Sequence, residues 1–174
     1  MIRILTGFLL SILYLNSFSI FAKEIRIEST SIKDDACVKI AEDEDSGSEK
    51  YKCPGVDGFG LFVLYDDSRM SLDVIYPDGN VYSIDLWDKV TQSFFYLDDS
   101  IEWRIHDNKN PVEHSSIIIG VNSANAEMPE KHWWVTIRLS VNNVCVTDIL
   151  DKKIYSIDNA REFSDTPSTS CLSF

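Results

Sequence analysis

Met70, Leu72, Val74 and Tyr76 are apolar at every second position, with Ser71 and Asp73 between them. After Pro77-Asp78-Gly79 the same pattern resumes, with Tyr82, Ile84 and Leu86 apolar around Ser83 and Asp85. Period-two alternation on both sides of turn residues commits this part of the chain to an antiparallel hairpin. A two-residue loop at Asp78-Gly79 would set Val74 opposite Ser83 and mix the faces. A three-residue loop sets Val74 opposite Tyr82 and Leu72 opposite Ile84. One residue of slip moves a whole side-chain set to the other face, so the apolar match selects the three-residue loop. Pro77 presets the first turn position, and Gly79 accepts the left-handed conformation that follows.

The hairpin lies within a longer strand-rich stretch, Tyr51 to Trp87, that opens on Cys53-Pro54-Gly55. Phe59 to Leu64 reads as a strand leading through Asp66-Asp67-Ser68-Arg69 into Met70. Ser93 to Leu97 and Ile101 to His106 read as a further pair joined by Asp98-Asp99-Ser100. Ile101, Trp103 and Ile105 share one face of the second member, and Glu102, Arg104 and His106 share the other. The unbroken Ile117-Ile118-Ile119 predicts a strand covered on both faces. Asn122 to Lys131 reads as a polar surface loop. Val135, Ile137, Leu139 and Val141 predict another strand, turning at Asn142-Asn143 so that Val141 opposes Val144 and Leu139 opposes Val146. That register sends Cys145 to the far face. Near the end, Ser156 or Asp158 caps a short helix that places Ala160 and Phe163 one turn apart and covers that face.

Toward the N-terminus, Lys23 to Ser29 alternates and predicts an edge strand. Before it, Arg3 precedes an apolar run from Ile4 to Ala22, the pattern of a secretory signal peptide over residues 1–22. Cleavage after Ser19 and retention as an uncleaved anchor are the alternatives. Residues 23–174 then form one domain. The predicted fold is mainly β, a single antiparallel sheet of seven or eight strands, as a sandwich or strongly curved sheet, with a short C-terminal helix. Destination: periplasm or secretion.

All four cysteines, Cys37, Cys53, Cys145 and Cys171, follow the leader. An even count in an exported chain predicts two disulfides. Three connectivities exist; the sequence-local one, Cys37–Cys53 with Cys145–Cys171, is the expectation. Their spacing lacks the close pairs of structural zinc sites.

Twenty-eight acidic residues stand against 16 basic ones, for a net charge of −12. Such a surface repels nucleic acid and anionic membranes and attracts cations or basic proteins. The run Glu42-Asp43-Glu44-Asp45 with Ser46-Gly47-Ser48 fails as a calcium loop, because Gly47 falls one place early for a start at Asp43. It reads as a solvated loop closed by a disulfide.

No hydrolase elbow, phosphate-binding glycine loop or paired-histidine zinc motif is present. His106, His114 and His132 are scattered, so neither a metal site nor a cofactor is expected. The charged residues that stand out are Asp66, Asp67 and Arg69 together with Glu102 and Arg104, as a ligand-gripping cluster or as sheet-surface ion pairs. Trp133 and Trp134 point to opposite faces, so one of them is a candidate interface anchor.

Cys53-Pro54-Gly55 with Gly58, Asp67-Ser68-Arg69, Glu102-Trp103-Arg104, Cys145, Asn159-Ala160-Arg161-Glu162-Phe163-Ser164-Asp165 and Cys171 together resemble an uncharacterised family of small exported proteobacterial proteins. The resemblance implies an exported domain with paired cysteines and carries no activity. The functional expectation is a non-catalytic domain, not an enzyme, acting as a binding or inhibitory module on a protein partner, a basic one being favoured by the charge, in the envelope or outside the cell. Small acidic exported domains that inhibit basic lysozymes are the fold-level analogy, although Ser46 to Tyr51 is no clean match to their serine–glycine–tyrosine motif. The alternative is an envelope hydrolase or small-ligand-binding protein using the Asp/Arg/Glu cluster.

Overall fold

The computed structural model describes residues 25–67, 69–106, 115–123, 129–141, 143–166 and 170–173. The 1–22 leader and His114 lie outside the described residues. The described elements are β1 (Ile25–Ser31), β2 (Val38–Asp43), β3 (Ser48–Pro54), β4 (Gly60–Asp66), β5 (Arg69–Ile75), β6 (Val81–Ile84), α1 (Leu86–Lys89), β7 (Phe95–His106), β8 (Ser115–Ser123), β9 (His132–Ser140), β10 (Asn143–Asp151) and α2 (Ile157–Ser164). Neither helix is long and apolar enough to cross a membrane.

The strands form one sheet in the order β10-β9-β8-β7-β5-β4-β3-β2, with β1 paired to β7 and β6 to β5. Every pairing is antiparallel except β5 with β7, which meet in a single parallel bridge between Arg69 and Phe95. The mainly β expectation holds. The sheet is mixed rather than purely antiparallel, it does not close, and it has ten strands where the alternation pattern counted seven or eight.

Two of the additional strands come from the acidic stretch, which is a hairpin rather than a loop. The Asp43 carboxylate accepts from the Asp45 amide at 3.0 Å, Gly47 takes φ 71°, and its amide donates to the Asp43 carbonyl at 2.7 Å. All six residues of β2 are exposed. A strand with neither face buried has no hydrophobic alternation to read.

The Met70–Ile84 hairpin has the expected register, Val74 opposite Tyr82 and Leu72 opposite Ile84, with Gly79 at φ 88°. The second strand stops at Ile84; Asp85 then caps a helical turn, accepting from the Asp88 amide, so Leu86 is buried from α1 instead. The Asp98–Ser100 segment is no turn, because β7 is continuous. Leu97 opposes Val121 and Ile101 opposes Ile119, so two extra residues bulge out between them. The bulge is held through Asp98, which accepts from Lys152 Nζ at 2.7 Å and Asn122 Nδ2 at 2.8 Å. Gly120 lies beneath it; a Cβ there would occupy the space of the Asp98 carboxylate and the Lys152 ammonium.

The β9–β10 hairpin differs from expectation by two residues. Asn143 pairs with Ser140 and Val144 with Leu139, so Asn143 belongs to the ladder, and Val141 sits at the turn, 48% exposed. A two-residue shift keeps every side chain on its face, so alternation cannot distinguish the two registers. Cys145 still faces away from Leu139, as expected.

Two apolar layers result. The larger joins Leu61, Val63, Leu72 and Val74 of one half of the sheet to Ile101, Trp103, Ile117, Val135, Ile137 and Leu139 of the other. Trp103 is fully buried at its centre, and its Nε1–H donates to Thr30 Oγ1 of β1 at 2.8 Å. Burying an indole removes on the order of 200 Å² from water, worth roughly 5 kcal/mol. The smaller layer lies on the other side of β8–β10, where Ile118, Leu150 and Ala160 pack with Trp134 and Ile157. All nine residues of β8 are buried, as the isoleucine run predicted. Phe163 does not join this layer; it is 38% exposed and meets Tyr155 edge-on, ring centroids 6.4 Å apart.

The disulfides are Cys37–Cys53 and Cys145–Cys171. The first ties the approach to β2 onto β3. The second ties the tail to β10, where Leu172 N also donates to the Val146 carbonyl at 2.9 Å and the Leu172 side chain packs against the larger layer.

Candidate functional site

Glu102 and Arg104 lie on the face of β7 opposite Trp103, and α2 covers them. Ser156 begins that helix with a capping box: its hydroxyl accepts from the Asn159 amide, and the Asn159 side chain accepts from the Ser156 amide. Ala160, fully buried, lets the helix approach Ile118 and Leu150. Arg161 and Asp165, four residues apart, then share a face toward β7. Asp165 accepts from Arg104 Nε at 2.6 Å and Nη2 at 2.5 Å, a bidentate pair. Glu102 accepts from Arg104 Nη1 at 2.8 Å and from Arg161 Nη2 at 2.6 Å. Asp158 accepts from Arg161 Nη1 at 2.8 Å.

The Arg104 side chain is only 5% exposed. Burial alone pushes the Glu102 carboxyl up, but hydrogen bonds from Arg161 and Arg104 outweigh it and hold the group below the usual glutamate range. The cluster is a chain of alternating charges that fastens α2 to the sheet. Arg161 and Asp165 were named only within the Asn159–Asp165 motif of the resemblance, not as partners of Glu102 and Arg104; the i, i+4 pair on the helix and the i, i+2 pair on the strand were the available signal.

Arg69 belongs elsewhere. It opens β5, donates from Nη2 to Asp67 at 3.2 Å, and lies 4.5 Å from the ring centroid of Trp87 on α1. Asp67 itself takes φ 45° at the β4–β5 turn. A shallow cleft there is lined by Asp66, Arg69, Ser71, Ser83, Asp85 and Trp87. Arg69 is bridged to Phe95, seven residues before Glu102 on β7, so at strand spacing the two arginine clusters stand roughly 20 Å apart. The structure therefore does not unite Asp66, Asp67 and Arg69 with Glu102 and Arg104.

Trp133 and Trp134 do point to opposite faces, and each is half-buried there. Trp133 packs against the main core, and Trp134 joins the α2 layer with Lys152 Nζ 4.1 Å from its ring centroid. Among the histidines, His106 is buried, while His132 Nδ1 lies 2.7 Å from Asn122 Oδ1. The described residues contain no cluster of three or more metal-ligating side chains.

One surface feature was not anticipated. An open groove is lined by Lys33, Asp34, Asp35, Tyr65, Tyr96, Asp98 and Asp99. Tyr65 stands at its edge, donating to Asp34 Oδ1 at 3.4 Å, its ring edge-on to Tyr51 with centroids 5.5 Å apart. Burial first, and then the Asp34 carboxylate, push the Tyr65 phenol up to about 12. A second groove shares Tyr65 and is lined by Glu42, Asp43, Glu49 and Lys50 of the β2–β3 hairpin. Most of the nearby cations are engaged: Lys33 Nζ lies 2.7 Å from Asp99, Lys152 bonds Asp98, Lys39 bonds both Glu42 and Glu49, and Lys50 lies 4.0 Å from Asp73, while Lys52 of β3 is exposed. What the groove and hairpin present together is negative charge beside tyrosine rings, an arrangement suited to holding basic groups. Compared with protein-family models, with curated proteins and with solved structures, the chain matches none.

Proposed function

We propose that this chain is an exported, non-catalytic domain that binds a basic protein in the periplasm or outside the cell. The observation that carries the reading is the pair of acidic grooves that meet at Tyr65, one lined by Asp34 and Asp35 and the other by Glu42, Asp43 and Glu49 of the β2–β3 hairpin, with Lys33 and Lys39 beside them already engaged by carboxylates. Two disulfides suit an oxidising compartment. A hydrolase or small-ligand site built on Arg69 and Arg104 together would need those residues to converge, and they stand in separate clusters.

The test is a pull-down with the oxidised domain from envelope extract and culture medium, at low and at moderate salt, followed by titration of whatever is captured. The expected result is a basic protein whose affinity falls steeply as salt rises, because exposed charge pairs are screened over about 10 Å at 0.1 M. Capture of nothing, or a partner whose affinity ignores salt, would overturn the reading.

A further inference from the structure

We infer that the outer edge of β2 is the docking site for that partner, which adds an extended, lysine- or arginine-rich segment as a strand beside Val38–Asp43. The inference rests on the proposed function and gives it a location and a binding mode. β2 is the last strand of the sheet order, and among the described strands it pairs only with β3. Its other side therefore offers main-chain N–H and C=O groups to solvent, the template on which an extended peptide builds.

Natural edges are commonly blunted by proline, by lysines or by a bulge. The β2 edge has no proline, and its one lysine, Lys39, is drawn back onto Glu42 and Glu49 of its own hairpin. The one blunting device present is a bulge between Lys39 and Ala41, which leaves Ile40 extra on β2 while Val38 and Glu42–Asp43 stay in the ladder. Val38 is 66% exposed and Ile40 48%, so two β-branched side chains lie bare on the strand that ends the sheet. Exposed apolar side chains at a sheet edge are where a partner strand gains contact area.

Charge selects the occupant. Residues 33–45 carry six carboxylates, Asp34, Asp35, Glu42, Asp43, Glu44 and Asp45, against Lys33 and Lys39, both already in ion pairs. A cationic strand is attracted along its whole length. A second copy is not: antiparallel edge-to-edge pairing would set the Glu42–Asp45 tip of each chain beside Asp34 and Asp35 of the other, carboxylate against carboxylate. Main-chain bonds supply affinity in such a mode, and charge supplies choice.

The experiment uses the oxidised domain and three eight-residue peptides. One alternates valine and lysine; the second is the same peptide N-methylated at every other backbone nitrogen; the third alternates valine and glutamate. The expected result is binding of the first, at least tenfold weaker binding of the second, and none of the third. Amide exchange across Val38–Asp43 should slow at least tenfold with the first peptide, and the Glu44→Lys/Asp45→Lys variant should bind it at least tenfold more weakly. Equal binding of the methylated and unmethylated peptides would overturn the inference, as would protection confined to the Tyr65 groove or self-association through β2. If no peptide binds but a basic protein is still captured, the edge is wrong and the proposed function stands. If no cationic polypeptide binds at all, both fall.

Discussion

Asp165→Asn removes one negative charge from a place where the structure makes its loss expensive. Asp165 caps the C-terminus of α2, an unfavourable end for an anion. It is held there by the bidentate contact with Arg104, whose side chain is 5% exposed. Without the carboxylate, that guanidinium remains buried with Glu102 as its one anionic partner among the described residues, and Glu102 is shared with Arg161. Stranding a buried charge completely costs about 3–5 kcal/mol, and here half the compensation survives, so the expected loss is about 2–3 kcal/mol. Arg104→Met should cost less, about 1 kcal/mol. It withdraws the buried charge itself, Glu102 keeps Arg161, and Asp165, 26% exposed, turns to water. Urea unfolding of the two variants and the double mutant, followed by tryptophan fluorescence, measures both costs and their coupling. The reasoning is refuted if Arg104→Met proves as damaging as Asp165→Asn, or if the two losses simply add.

Three further outcomes follow from the same structure. Cys145→Ser/Cys171→Ser opens a cross-link between residues 26 positions apart, for which the chain-entropy relation gives about 3.5 kcal/mol at 25 °C; a loss below about 1 kcal/mol in oxidised buffer would contradict it. Glu102 is held below its ordinary value near 4.5, so its contribution is complete above that pH and disappears as the pH falls through the lower folded value. Amide protection in α2 should therefore begin to fall only below about pH 4.5, ahead of that in β7–β9, and simultaneous loss would argue against the clamp. Gly120→Ala crowds the Asp98–Lys152 pair and should cost about 1–3 kcal/mol in thermal melts, less in an Asp98→Ala background where that space is empty.

Where one face of a strand is buried, the sequence announced it. Val74 opposite Tyr82, the isoleucines of β8 and Trp103 at the centre of the core all follow from alternation and a turn. The misread elements fail for physical reasons. β2 is bare on both faces and has no pattern to detect. The Leu139 register errs by two residues, a shift that leaves every face unchanged. Asp98 looks like a turn residue until Lys152, 54 positions later, supplies its partner. The candidate site was the least legible part. Glu102 and Arg104 stood out correctly as charged residues, but their covering partners Arg161 and Asp165 are about 60 positions away. Asp34 and Tyr65 meet across 31 positions of sequence, from the segment between β1 and β2 and from β4, a contact that no local pattern signals.

The pairing of β1 bears on how the chain acquires its structure. Ile25 meets His106 and Ser31 meets Ser100, so nothing within about 70 residues of β1 can satisfy its ladder. A chain emerging N-terminus first exposes that strand until β7 has followed it out, whereas β3, β4 and β5 close on immediate neighbours. Pairings of such long span are slow to form and leave edges open to wrong partners. The Met70–Ile84 region should order early and β1 late. Yield should then depend on how well the emerging β1 is shielded during that interval more than on final stability.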